Sequence, residues 1–249
     1  MLNKKILVEV CAGNIQSVNN AYKAGADRIE LVSQAHHGGL TPSMGLVLHA
    51  LRTNLEVVAM VRPRIGGFNY SNDEVDLMFE EATILLETGV SGIVFGFLNN
   101  DFTIDIINTE KMVKLIKKYN KTAIFHRAID LVTDQFSAFE QLIDLKVDRV
   151  LTSGGMINVD LGLNQIKKLN ELYGNKIEII AGGGVNINNA IKLINDAGIS
   201  QLHATFKTFG KDITTKTSKM SFSYNDLGDY DYSDDTKIVS FINKIKDGI

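Results

Sequence analysis

The side chains able to do chemistry in this chain stand at the ends of short apolar runs. Those runs read Val-Glu-Val-Cys (8–11), Arg-Ile-Glu-Leu (28–31), Ala-Met-Val-Arg-Pro-Arg (59–64), Ile-Phe-His-Arg (124–127), Val-Leu-Thr-Ser-Gly (150–154), Ile-Ile-Ala-Gly-Gly-Gly (179–184) and Gln-Leu-His-Ala (201–204). Carboxylates beside imidazoles are the parts of general acid–base chemistry, which makes Glu9, Glu30 and His126 candidate catalytic groups. Arg62 and Arg64 have the fork that clamps a carboxylate or phosphate. Thr152 and Ser153, Gly182 and Gly183, and His203 stand at three further tips as candidate ligand contacts. Gly182-Gly183-Gly184 precedes Asn186-Ile187-Asn188-Asn189, read as a helix start, where backbone N–H groups can hold an anion. Turn-making glycines explain the same triplet equally well.

Side chains alternate along a strand, so residues two apart share a face. With Val8 and Val10, Ile29 and Leu31, Phe125 and Leu202 packed outward against helices, Glu9, Cys11, Glu30, His126 and His203 face inward. Val58, Met60, Arg62 and Arg64 share one face, with both arginines at the tip. Glu9, Glu30, Arg62, His126 and His203 are therefore expected at one mouth. Buried charges must be paired, and two readings stay open: a structural ion network, or a ligand-binding and catalytic site.

What must position these tips is a repeated strand–loop–helix unit. Strands are expected near 6–11, 28–32, 56–62, 92–97, 122–127, 149–153, 177–182 and 201–205. Helices are expected near 14–24, 43–53, 72–88, 108–119, 135–145, 160–173, 186–197 and 235–246. A helix-to-strand handover recurs as Ala24-Gly25-Ala26-Asp27, Thr88-Gly89-Val90-Ser91, Leu145-Lys146-Val147-Asp148 and Ala197-Gly198-Ile199-Ser200, spaced by about 50–65 residues, every second unit of an eightfold repeat. The fold class is α/β: a TIM-like (β/α)8 barrel, parallel and eight-stranded, in a single domain over 1–249, with its site at the C-terminal ends of the strands. The stretch 207–234 is expected to be a long loop before the last helix, either a lid or interface segment or a solvated excursion.

Length and composition set the outer bounds. At 249 residues, 45% hydrophobic and 22% charged, the chain suits one large soluble barrel. A net charge of −3 without a basic stretch argues against a nucleic-acid partner, and no apolar run nears the ~20 residues of a membrane span. One cysteine, Cys11, excludes an internal disulfide framework and a multi-cysteine zinc site. The expected location is cytoplasmic.

Taken together, the strings resemble the CutC copper-homeostasis family: Glu9-Val10-Cys11, Gly25-Ala26-Asp27-Arg28-Ile29-Glu30-Leu31, Gly38-Gly39-Leu40-Thr41-Pro42-Ser43, Arg62-Pro63-Arg64, Tyr70-Ser71, Phe125-His126-Arg127-Ala128, Asp130, Val150-Leu151-Thr152-Ser153-Gly154, Gly182-Gly183-Gly184 and His203. They run in family order over essentially the whole chain. The resemblance implies a TIM-like barrel, a cytosolic and commonly oligomeric protein, and copper bound by cysteines near the ends of the first two strands; apolar residues on the outer helices favour a homodimer. Cys11 matches the first of these, while Val32 stands at the second. The family's Arg-Pro-Arg-Gly-Gly-Asp string reads Arg62-Pro63-Arg64-Ile65-Gly66-Gly67, and Ala204-Thr205 replaces the Ser-Ala after the histidine. A thiolate selects Cu(I), so the expected function is copper homeostasis with copper ion binding through Cys11. Alternatives are an enzyme acting on a small anionic metabolite, a carboxylate or phosphate, at the barrel mouth, and a scaffold whose polar mouth is structural.

Overall fold

Runs of Val, Ile and Phe at strand spacing, broken by Gly and Asn turns, fold into a closed barrel of eight parallel strands in the order β1 to β8. The computed structural model describes residues 5–223 and 226–248. The strands are β1 (Leu7–Ala12), β2 (Arg28–Leu31), β3 (Glu56–Met60), β4 (Gly92–Phe95), β5 (Thr122–Phe125), β6 (Arg149–Thr152), β7 (Glu178–Gly182) and β8 (Gln201–Ala204). The helices are α1 (Ile15–Ala24), α2 (Met44–Ala50), α3 (Asn72–Thr88), α4 (Ile106–Lys118), α5 (Gln135–Asp144), α6 (Val159–Tyr173), α7 (Ala190–Ala197) and α8 (Asp235–Gly248). The expected TIM-like barrel is the observed one.

Side-chain caps start most helices. Asn14, Ser43, Asp105, Asp134 and Asn158 each accept a backbone N–H in the first turn, and Ser71 with Glu74 forms a capping box. The handover repeat has a geometric cause. Gly25, Gly89 and Gly198 take left-handed φ values of 77°, 97° and 68° to end α1, α3 and α7, and Lys146 takes the same turn at φ 64°.

Alternation along the strands separates two cores. Val8, Val10, Ile29, Leu31, Phe125 and Leu202 pack outward between sheet and helices. Inside the barrel lie Cys11, Val32, Val58, Met60, Val94, Ile124, Leu151 and Ile180. Below this apolar layer sits a charged one. Arg28 bonds Glu9 and Gln201, Gln201 bonds Glu178, and Arg149 bonds Glu178 and Glu56. Glu9 and Arg28 are register neighbours on β1 and β2, and Glu9 and His203 on β1 and β8.

Two expectations are corrected. The stretch 207–234 is not a plain loop: β9 (Lys207–Gly210) and β10 (Tyr230–Ser233) pair as an antiparallel ribbon. It is anchored to β1 and α1 where Ser233 Oγ donates to the Cys11 carbonyl and Asn14 and Asn20 donate to the ribbon backbone. The two strands pair with each other, and side chains of α1 and its Asn14 cap satisfy the outer backbone of β10, a tertiary arrangement that sequence alternation over only four residues per strand does not reveal. The helix expected from 186 starts at Ala190. Residues 186–189 are a turn held by asparagine side chains, with Asn189 Oδ1 accepting from the Asn186 N–H and Asn186 Oδ1 from the Asn188 N–H.

Candidate functional site

The C-terminal ends of the strands open into a cavity of about 640 Å³. Its walls include Cys11, Glu30, Met60, Arg62, His126 and His203, with Arg127 and Asp130 on the far side.

At its floor Cys11, Glu30 and His203 are all buried, and one ligand atom from each lies within 4.8 Å of the others. His203 is oriented from below: its Nδ1 lies 2.6 Å from Glu9 Oε1, leaving Nε2 on the Glu30 side, 3.8 Å from Glu30 Oε2. Glu9 is held in turn by fully buried Arg28. Burial alone would raise the Glu9 carboxyl, but the Arg28 charge and then His203 outweigh it and hold it down at about 2. Burial would lower His203, yet the Glu30 charge, with Cys11 and Glu9 behind it, lifts its pKa well above the ordinary value. Burial raises Glu30 to about 6 and the Cys11 thiol to about 11. At neutral pH this corner holds a thiol and an imidazolium flanked by carboxylates.

The opposite wall is built differently. His126 follows β5, and the Ala128 N–H donates to its Nδ1 at 3.2 Å. Burial, then the nearby Arg62 charge, push it down to about 3, so it is neutral with its proton on Nε2. Arg62 donates from Nη1 to the His37 and Gly39 carbonyls and from Nη2 to the Gly66 carbonyl.

The structure sorts the expected site residues. Cys11, Glu30, Arg62, His126, His203 and Gly183 share the cavity. Glu9 lies one layer deeper, against Arg28 and His203, and does not line the mouth. Arg64 leaves the cavity: its guanidinium pairs with Glu74 at 2.5 Å and lies over the Tyr70 ring. Thr152 and Ser153 are turned to Asp130, whose Oδ1 takes the Thr152 hydroxyl at 2.5 Å and whose Oδ2 takes the Ser153 hydroxyl at 2.9 Å. Gly182 lies outside the lining, packed on Leu151 and His203.

Four residues carry more than the sequence reading assigned them. Arg28 is the buried partner of Glu9, and the alternation that turns Glu30 inward turns Arg28 inward too. Asp130 and Arg127 form one clamp: Arg127 Nε donates to Asp130 Oδ2 at 2.8 Å, and Nη2 donates to Ser153 Oγ at 2.7 Å. Gly183 is required beside it. At φ +102°, an added Cβ would stand 3.0 Å from the Arg127 guanidinium.

Comparison with known proteins agrees with this frame. Residues 6–208 match the CutC family. The chain belongs to the CutC family. A CutC protein of Treponema denticola is 45% identical over 201 residues, 80% of this chain and 81% of its own. One from Pasteurella multocida is 38% identical over 232 residues, 93% and 92% of the two chains. A solved CutC structure from Streptococcus agalactiae, named for copper homeostasis, superposes with a TM-score of 0.76 at 31% identity, covering 80% of this chain and 98% of that one. Phosphoribosylanthranilate isomerase of Thermotoga maritima, at 12% identity and a TM-score of 0.56, shares the barrel fold. Among the described residues no helix is long and apolar enough to cross a membrane.

Proposed function

We propose that this CutC-family protein works in cytoplasmic copper homeostasis by holding a copper ion on Cys11, Glu30 and His203. The observation that carries this reading is the convergence of a thiol, a carboxylate and an imidazole within 4.8 Å at the cavity floor. The donor chemistry fits: thiolate and imidazole suit copper, and the Met60 thioether lines the same cavity as a further soft donor. The support beneath fits as well. Glu9 on His203 Nδ1 is the outer-shell carboxylate that orients a ligating histidine. Val32, at the position of the second family cysteine, is a fully buried core side chain, so one thiol serves the site.

The test is an anaerobic Cu(I) titration against a competing chelator. The wild type should bind one equivalent, Cys11→Ala should lose the site, and Glu9→Gln should weaken it by about 10–100-fold. Because the Cys11 thiol titrates at about 11, the ion must displace its proton, and affinity should rise with pH. Binding unchanged in Cys11→Ala would refute the assignment.

A further inference from the structure

Two buried donors in the cavity wall make no hydrogen bond of ordinary geometry among the described residues, Arg62 Nε and His126 Nε2, and the buried Tyr70 hydroxyl lies beside the Arg62 guanidinium. Both side chains line the cavity. Arg62 has committed its other nitrogens to three loop carbonyls, which fixes the guanidinium and leaves Nε–H. The Ala128 N–H fixes the His126 ring and leaves Nε2–H. Unpaired donors at such depth are costly unless something accepts from them.

Phe68 joins the two. Its ring centroid lies 4.6 Å from that of His126, and the Arg62 guanidinium carbon lies 4.9 Å above the same ring. The ring is half-buried, belongs to the connection between β3 and α3, and touches both side chains. One cationic donor and one neutral donor on one wall select an oxyanion. The cavity is far larger than an ion needs and falls in the range of organic ligand sites. Its outer rim is apolar: Leu131, Met156 and Ile157 line it while remaining 50%, 51% and 81% exposed. Neither the metal cluster nor the CutC match explains this wall.

We propose that Arg62 Nε–H and His126 Nε2–H bind the carboxylate or phosphate end of a small organic molecule, reached by a swing of the Phe68 ring, with the molecule's apolar body on Leu131, Met156 and Ile157. The site stands apart from the copper reading, and its test uses chelator-treated protein so that the two can fail separately.

The probes are benzoate, phenyl phosphate and, as the uncharged control, benzyl alcohol. They are titrated into the full chain by calorimetry and followed by NMR of the His126 and Phe68 rings. At least one anion should bind tenfold or more tighter than benzyl alcohol and shift His126 Nε2, and which one does so separates carboxylate from phosphate. His126→Asn keeps an acceptor for the Ala128 N–H and removes the Nε2 donor, so it should weaken binding about tenfold. Arg62→Lys should do the same. If Arg62→Lys fails to fold, His126→Asn and the wild-type shifts still decide. Anions binding no tighter than the alcohol, no response at His126, or undiminished binding in a folded His126→Asn protein would each overturn the proposal.

Discussion

Two buried histidines face one cavity and are held in opposite charge states. His203 sits between Glu9 and Glu30 and is raised well above its ordinary pKa. His126 sits near Arg62 and is lowered to about 3. Both are almost wholly buried, so burial does not distinguish them; the sign of the neighbouring charge does. A barrel mouth therefore offers two chemistries within one volume. One corner presents metal-type donors over a carboxylate support, and the other presents two unpaired N–H donors.

The largest effect expected from breaking this asymmetry is on the His203 side. Glu9→Ala takes from buried Arg28 its nearest carboxylate, leaving it Gln201 and the more distant Glu56, and leaves His203 Nδ1 unsupported. Stability in urea should fall by about 3–5 kcal/mol, the range for a broken buried ion pair. A loss below about 1 kcal/mol would show that the column beneath His203 is not what holds it.

Acid should expose the His126 side. Between pH 6.5 and about 3 the unfolded chain binds a proton at residue 126 that the folded chain refuses, so stability declines as pH falls through that window, by up to about 1.4 kcal/mol per pH unit. His203 has the reverse sign: its contribution is complete below pH 6.5 and is lost as pH rises through its raised folded value. Glu30, raised to about 6, opposes His126 between pH 4.5 and 6, so the comparison must be made against a variant. The stability gap between wild type and His126→Asn should shrink steadily on acidification from pH 6.5, as followed by denaturant unfolding at several pH values. A constant gap would mean that His126 is not held neutral.

Gly183→Ala tests the rim between the two corners. A side chain at φ +102° against the Arg127 guanidinium should cost about 1–3 kcal/mol in thermal or urea unfolding. Arg64→Ala sets the floor of the series. Its ion pair with Glu74 is substantially exposed and outside the cavity, so stability and copper affinity should match the wild type.

The barrel and the inward set were legible because period-2 alternation and helix-cap chemistry act locally. Glu9, Glu30, His126 and His203 each occupy the face that alternation assigns. What escaped was depth. Glu9 and His203 are register neighbours, yet the glutamate lies below the cavity and the imidazole on its wall, because strand tilt and stagger set height in a barrel. Arg64 escaped for another reason: β3 ends at Met60, so alternation no longer governs residue 64, and the capping-box glutamate of α3 captures it. Thr152 and Ser153 stand at a strand tip as expected, but Asp130 takes their hydroxyls, a pairing between two loops distant in sequence.

The most direct test of the split between the two corners is 15N NMR of both histidine rings at pH 7, before and after one equivalent of Cu(I) under anaerobic conditions. The expected spectrum before addition shows His203 as imidazolium and His126 as neutral with its proton on Nε2. On addition His203 Nε2 should lose its proton and shift as a metal ligand, while His126 stays unchanged. A neutral His203 at the start, or a shift at His126 in place of His203, would contradict the assignment of metal to one wall and hydrogen-bond donation to the other.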